Sequence, residues 1–158
     1  MTYRYVVRSE TLVKWFLEHG ADPNGGYEYC TALSYAAFRG SIDVLRTLLS
    51  HGGDLQRGDV LHQAVERESD CRAVVTFLLE RGAPVNYLRF DGQQPYWSVF
   101  HRQETPLHRA VELDKKDIVA KLIEFGADPE KGDNYGKSVR ELAEELGREY
   151  MLSYPGYL

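Results

Sequence analysis

The sequence predicts an all-α solenoid built from stacked helix pairs, and three observations predict it. First, a helical run ending in Gly and a small residue recurs four times. The copies are Leu17-Glu18-His19-Gly20-Ala21-Asp22, Leu49-Ser50-His51-Gly52-Gly53-Asp54, Leu79-Glu80-Arg81-Gly82-Ala83-Pro84 and Ile123-Glu124-Phe125-Gly126-Ala127-Asp128. Second, a cap residue followed by Leu and a small pair precedes each of the last three. It reads Thr31-Ala32-Leu33-Ser34-Tyr35-Ala36-Ala37, Asp59-Val60-Leu61-His62-Gln63-Ala64-Val65 and Thr105-Pro106-Leu107-His108-Arg109-Ala110-Val111. Third, the segments between these phrases carry apolar residues at helical i, i+3, i+4 spacing.

The elements follow in order. Tyr5-Val6-Val7-Arg8-Ser9 looks like the end of a first helix whose opening is missing, and residues 10–19 then make a second helix with Leu12, Val13, Phe16 and Leu17 as its inner face. Thr31, Asp59, Thr105 and Ser138 are placed as N-caps, their side-chain oxygens accepting from backbone N–H groups that the helix itself leaves unpaired. Pro106 sits at the first helical position, where its missing N–H is tolerated. Leu33, Leu61 and Leu107 point inward, and the small pairs after them let a neighbouring helix approach closely. The second helices carry Ile42, Val44, Leu45, Leu48 and Leu49, then Val74, Val75, Phe77, Leu78 and Leu79, then Ile118, Val119, Leu122 and Ile123 at i, i+3, i+4 spacing. Each ends on its Gly, positioned for the left-handed conformation just past a helix. His19 and His51, one residue earlier, suit the last carbonyls and the helix dipole. No pair can bury its apolar face alone; stacking buries it.

Three departures stand out. The N-terminal end lacks the polar outer face of a terminal repeat and carries Tyr3, Tyr5, Val6 and Val7 instead. It is either a trimmed cap or an open edge that stacks on a partner or on a second copy, the latter predicting concentration-dependent self-association. The spacing from the terminating Gly to the next cap is 11 residues from Gly20 to Thr31, 7 from Gly52 to Asp59, 23 from Gly82 to Thr105 and 12 from Gly126 to Ser138. The third connection therefore carries an insertion within residues 87–104, with a turn at Asp91-Gly92 and the aromatic run Tyr96, Trp97, Phe100. Its aromatics either fold back on the flanking repeats or form a binding surface. Finally, Arg140 and Glu141 replace the expected Leu and His of the last copy, which reads as a polar C-terminal cap.

Composition narrows the function. A net charge of −5 without a basic stripe argues against nucleic acid as the main partner. The two cysteines, Cys30 and Cys71, make neither a disulfide framework nor a zinc site, and a reducing compartment suits them. No signal peptide or membrane-spanning run is visible, so an intracellular protein, cytoplasmic or nuclear, is expected. No phosphate loop, zinc spacing or nucleophile motif appears, so neither enzyme activity, cofactor nor metal is expected.

The phrases Thr105-Pro106-Leu107-His108 and Gly126-Ala127-Asp128, with their relatives elsewhere, resemble the ankyrin-repeat family over nearly the whole chain. The resemblance implies an ankyrin-repeat α-solenoid with β-hairpin fingers and a concave face, acting as a protein-binding scaffold. It divides residues 1–158 into a truncated repeat (1–25), repeats at 26–53 and 54–86, the inserted finger (87–104), a repeat at 105–132, and a capping repeat with its tail (133–158). Carried onto matching positions, the partner surface would include Tyr27, Glu28, Phe38, Arg39, Glu66, Arg67, Tyr96, Trp97, His101, Arg102, Glu112, Tyr135 and Lys137. Phe38, Tyr27, Trp97 and Tyr135 would form an aromatic row on it. His62 and His108 take the family's structural histidine position. The expected partner is another protein, with no nucleic acid and no membrane. A second reading has the insertion roofing a groove for a small molecule or an unusual reaction, with Arg39, Arg67, His101, Glu104, Glu112 and Tyr135 around it. A third makes the chain one stretch of a longer multidomain protein.

Overall fold

The computed structural model describes residues 6–27, 30–90 and 101–153. They fall into two compact units, Met1–Ala83 and Pro84–Leu158.

The first unit contains α1 (Glu10–Glu18), a two-stranded antiparallel hairpin of β1 (Gly26–Tyr27) and β2 (Cys30–Thr31), then α2 (Ala32–Arg39), α3 (Ile42–Ser50), α4 (Val60–Val65) and α5 (Cys71–Leu79). Helix α2 pairs with α3 and α4 with α5, while α2 lies against α4 and α1 against α3. That is the stacking of successive helix pairs that the periodicity predicts. Leu33, Ala36, Ala37, Leu45, Ala64, Val65, Val74 and Leu78 are fully buried between these helices. Each large aliphatic so buried contributes about 1.5–3 kcal/mol relative to exposure.

The second unit contains α6 (Pro106–Glu112), α7 (Lys116–Glu124), α8 (Val139–Glu145) and a 3-10 turn (Glu149–Met151). Helix α6 pairs with α7 and packs against α8, and the 3-10 turn covers α7 and α8. Leu107, Ala110, Val111, Ile118, Leu122 and Val139 form its core. Val139 and Leu142 bury in α8 while Arg140 faces out and pairs with Glu130 at 2.6 Å, the polar closing surface expected of a terminal repeat.

Helix ends follow their sequence signals closely. The hydroxyls of Thr31, Thr105 and Ser138 accept from the N–H groups of Ser34, His108 and Glu141 at 3.1, 3.4 and 3.2 Å. All four terminating glycines adopt left-handed φ, between +81° and +91°. At Gly126 the geometry is a Schellman motif: Gly126 N–H donates to Ile123 O and Ala127 N–H to Leu122 O, both at 2.9 Å. The histidines before Gly20 and Gly52 bond back through Nδ1, His19 to Trp15 O at 2.7 Å and His51 to Thr47 O at 2.8 Å.

Two expectations are corrected. Asp59 makes no side-chain cap bond to α4. The clipped second connection leaves its backbone at ψ +50° instead of the +165° of Thr31, so its carboxylate is not aimed along the helix axis. In α1, Val13 is buried but Leu12 is 48% exposed, together with Trp15 at 51%. The inner face of α1 is therefore Val13, Phe16 and Leu17, which line an apolar recess with Val6, Val7 and Leu48.

Within each unit, side-chain amides lace one turn to the next. Asn24 donates to Gly52 O and accepts from Asp54 N–H, at 2.8 and 2.7 Å. Asn86 repeats the pattern with Gly126 O and Asp128 N–H, both at 2.9 Å.

Candidate functional site

The expected partner-binding residues divide between the two units, and Glu28, Tyr96 and Trp97 lie outside the described residues. Tyr27 stands in β1, at the finger of the first unit.

In the first unit, Phe38 and Arg39 end α2. Phe38 is half-buried, not exposed as the sequence suggests, because its ring meets Tyr35 edge-on at 6.4 Å and lies under the Arg39 guanidinium at 4.1 Å. Glu66 caps the C-terminus of α4 and is half-buried. Arg67 is only 6% exposed. Its Nη1 donates to Ala37 O and Gly40 O at 3.0 Å each, its Nε to Ser69 O at 3.2 Å, and its Nη2 to Asp70 at 3.1 Å. Arg67 thus takes up carbonyls that the end of α2 leaves without helical partners, and its contribution to the surface is the floor under Phe38 and Arg39.

In the second unit the neck of the insertion is a short ladder. Arg89 N–H donates to Glu104 O at 2.8 Å, and Gln103 Nε2 to Phe90 O at 3.1 Å. The last finger lies beside it: Asn134 N–H donates to Gln103 O at 3.1 Å and Gln103 N–H to Asn134 Oδ1 at 2.8 Å. That finger is tightened by Asp133, whose Oδ1 accepts from the N–H groups of Tyr135 and Lys137 at 2.9 Å each. Tyr135 consequently stands at the tip with 68% of its surface exposed. His101 is exposed, with Phe90 5.6 Å away. Lys137 pairs with Glu145 at 2.6 Å.

Arg102 is the hub. It binds Asp133 through Nε at 2.5 Å and Glu112 through Nη1, and Glu104 lies 3.8 Å from the same nitrogen. Arg109 adds a second bond to Glu112, at 3.1 Å. Burial disfavours the Arg102 cation, but the Asp133 hydrogen bond and the surrounding carboxylates outweigh that and raise its pKa. Asp133 is likewise desolvated, yet its bonds from Arg102, Lys137 and Tyr135 hold its carboxyl below the usual range. Glu104 goes the other way. Burial, then the neighbouring Glu112 charge, push it up to about 7, and Arg102, Arg109 and Arg89 offset only part of this.

His108 sits beneath this network, fully buried. Its Nε2 lies 3.0 Å from Lys137 O, and its Nδ1 lies 3.3 Å from Thr105 N–H. These partners assign Nε2 as the protonated nitrogen and Nδ1 as the acceptor. Burial holds the His108 pKa below its ordinary value. The ring is a neutral brace between the start of α6 and the last finger, and His62, its counterpart in α4, is equally buried.

A model of the family described as "Ankyrin repeats (3 copies)" matches residues 4–89, and a model described as "Ankyrin repeat" matches residues 102–134. The chain belongs to the ankyrin-repeat family. Rabankyrin-5 of Homo sapiens is 30% identical over 139 residues, covering 84% of this chain but 11% of its own length. Among solved structures, the crystal structure of the ankyrin repeat domain of Bcl-3, described as a unique member of the IkappaB protein family, superposes with a TM-score of 0.71. It is 27% identical and is matched over 90% of this chain and 62% of its own. The fold class is that of all-α ankyrin-repeat solenoids. Ankyrin repeats generally serve as protein–protein interaction modules. Among the described residues no helix is long and apolar enough to cross a membrane, and no group of three or more His, Cys, Asp or Glu is placed to hold a metal ion.

The Asp133 partnership of Arg102 is the feature that sequence reasoning missed. Arg102 and Glu112 are both candidates in the sequence, but the carboxylate that orients Arg102 lies 31 residues away in another finger. The irregular Gly132-Asp133-Asn134 start of that finger was the available signal.

Proposed function

We propose that this ankyrin-repeat chain is an intracellular scaffold that binds a partner protein through its finger and inner-helix positions, including the long third finger. One observation carries the reading. Positions not needed for stacking hold large or charged side chains braced from below, with Tyr135 exposed above Asp133 and Phe38 held between Tyr35 and Arg39. A rigid, exposed aromatic over a satisfied polar support is the make-up of an interaction hot spot. The net charge of −5 favours protein over nucleic acid as that partner.

The test is affinity purification with mass spectrometry, followed by direct binding to the captured protein. Replacing residues 88–100 by a short Gly-Asn turn, or Phe38→Ala with Tyr135→Ala, is expected to weaken binding by about 2 kcal/mol or more, roughly 30-fold. Unchanged affinity in both variants would place the partner surface elsewhere.

A further inference from the structure

The neck of the third finger ends on a buried carboxyl. Glu104 is its last residue, and the chain that follows is firmly held. Thr105 is fully buried and opens α6, its hydroxyl accepting from His108 N–H at 3.4 Å. The preceding chain is held by the neck and the last finger instead. Glu104 O accepts from Arg89 N–H at 2.8 Å, and Gln103 exchanges two bonds with Asn134, at 3.1 and 2.8 Å. The Glu104 carboxyl faces Arg89 and Arg102 from the neck and Arg109 and Glu112 from α6. Through Arg102 it meets Asp133 of the last finger. His108, beneath, is held towards its neutral form by burial, and His101 lies exposed three residues upstream.

Two carboxyl groups meet one nitrogen here: Arg102 Nη1 bonds Glu112 and lies 3.8 Å from Glu104. A charge on Glu104 is therefore withdrawn from water and set beside the Glu112 charge. It finds relief by turning toward solvent or by drawing Arg102 off Asp133. Thr105 keeps α6 in place, so either movement falls on residues 102–104 and strains the bonds between Gln103 and Asn134. Asp133 also accepts from the N–H groups of Tyr135 and Lys137, at 2.9 Å each, so a shifted Arg102 is felt at the tip that exposes Tyr135. Burial and Glu112 bring this ionisation up to about 7. We propose that Glu104 is a proton-operated latch: protonated, it lets the neck lie against the last finger, and ionised, it loosens that seam and weakens partner binding around Tyr135. This adds regulation to the interaction-module reading and rests on it.

The experiment follows the backbone amides of the full chain by NMR hydrogen exchange from about pH 5.5 to 8.5, corrected for intrinsic exchange. Asn134 N–H, which donates to Gln103 O, is expected to lose about tenfold in protection across a midpoint near 7, while Ala127 N–H, bonded to Leu122 O, keeps its own. Glu104→Gln should remove the step. His101→Gln should leave it in place, which separates the carboxyl from the nearby imidazole. Glu112→Gln should move the midpoint down by about one pH unit, because a repelling charge is gone. Protection that ignores pH, a step that survives Glu104→Gln or vanishes with His101→Gln, or an unmoved midpoint in Glu112→Gln overturns the latch. These amide readouts need no partner, so their failure leaves the interaction-module reading standing. The captured partner is then expected to bind about tenfold more tightly at pH 6 than at pH 8, a difference that Glu104→Gln removes. Equal affinity of the unaltered chain at both values overturns the regulation.

Discussion

Glu104 shows how one side chain records its surroundings. It is 6% exposed, close to Glu112, and shares Arg102 with two other carboxylates. Its pKa of about 7 in the folded chain lies above its ordinary 4.5, so the folded state holds a proton that the unfolded state has released. That contribution to stability is fully present below about pH 4.5 and is lost as pH rises through about 7. Glu104→Gln is therefore expected to raise the melting temperature at pH 8 and to flatten the fall in stability between pH 5 and 7, as read by thermal denaturation across pH. His108 has the opposite sign. Its lowered pKa means stability is lost as pH falls through the unfolded value near 6.5. Replacing Arg102 with Ala should lower stability at pH 7 by about 1–3 kcal/mol in urea titration, because Asp133 Oδ2 loses its guanidinium donor and Glu112 is left with Arg109 alone.

The helices and their ends were legible in the sequence because their causes are local. Thr105-Pro106 and Gly126 specify a start and a stop from adjacent residues alone, and both appear where expected. Substituting Gly126 with Ala forces a Cβ into φ +87° and should destabilise by about 1 kcal/mol, measured by chemical denaturation. Open space surrounds that Cβ, so the effect isolates backbone strain from steric clash. Less legible were elements set by long-range partners. Nothing near Asp59 announces that a shortened connection turns its carboxylate from the helix axis, and nothing near Arg67 announces that Ala37 and Gly40 lie within reach of its guanidinium. The candidate site was read only as positions in the repeat, among them Phe38, Arg39, Tyr135 and Arg102. Their burial and bonding were not read, since these depend on which finger neighbours which.

At the scale of the molecule, the same device appears in each unit among the described residues. Arg67 bonds the carbonyls at the end of α2, and Arg148 Nη1 bonds Val111 O and Glu112 O at the end of α6, at 2.6 and 2.8 Å. An arginine from a later segment finishes an earlier inner helix. Arg67→Ala should cost about 2–3 kcal/mol in global stability, read from urea midpoints, because two buried carbonyls lose their donor. At the N-terminal edge, exposed Leu12 and Trp15 leave apolar surface on α1. If that edge stacks on a second copy, light scattering will show mass rising with concentration, and Trp15→Glu will abolish the rise; a constant monomer mass removes the idea.

The amide lacing has a chemical lifetime as well as a strength. Asn24 is followed by Gly25, the pairing in which a side-chain amide cyclises onto the next peptide nitrogen most readily, whereas Asn86 is followed by Tyr87. Loss of ammonia at Asn24 would replace the donor facing Gly52 O with an anion. The joint would then repel the carbonyl it once held. Ageing in warm, alkaline buffer should therefore loosen the chain first at the turn after α1, while the equivalent clasp at Asn86 outlasts it.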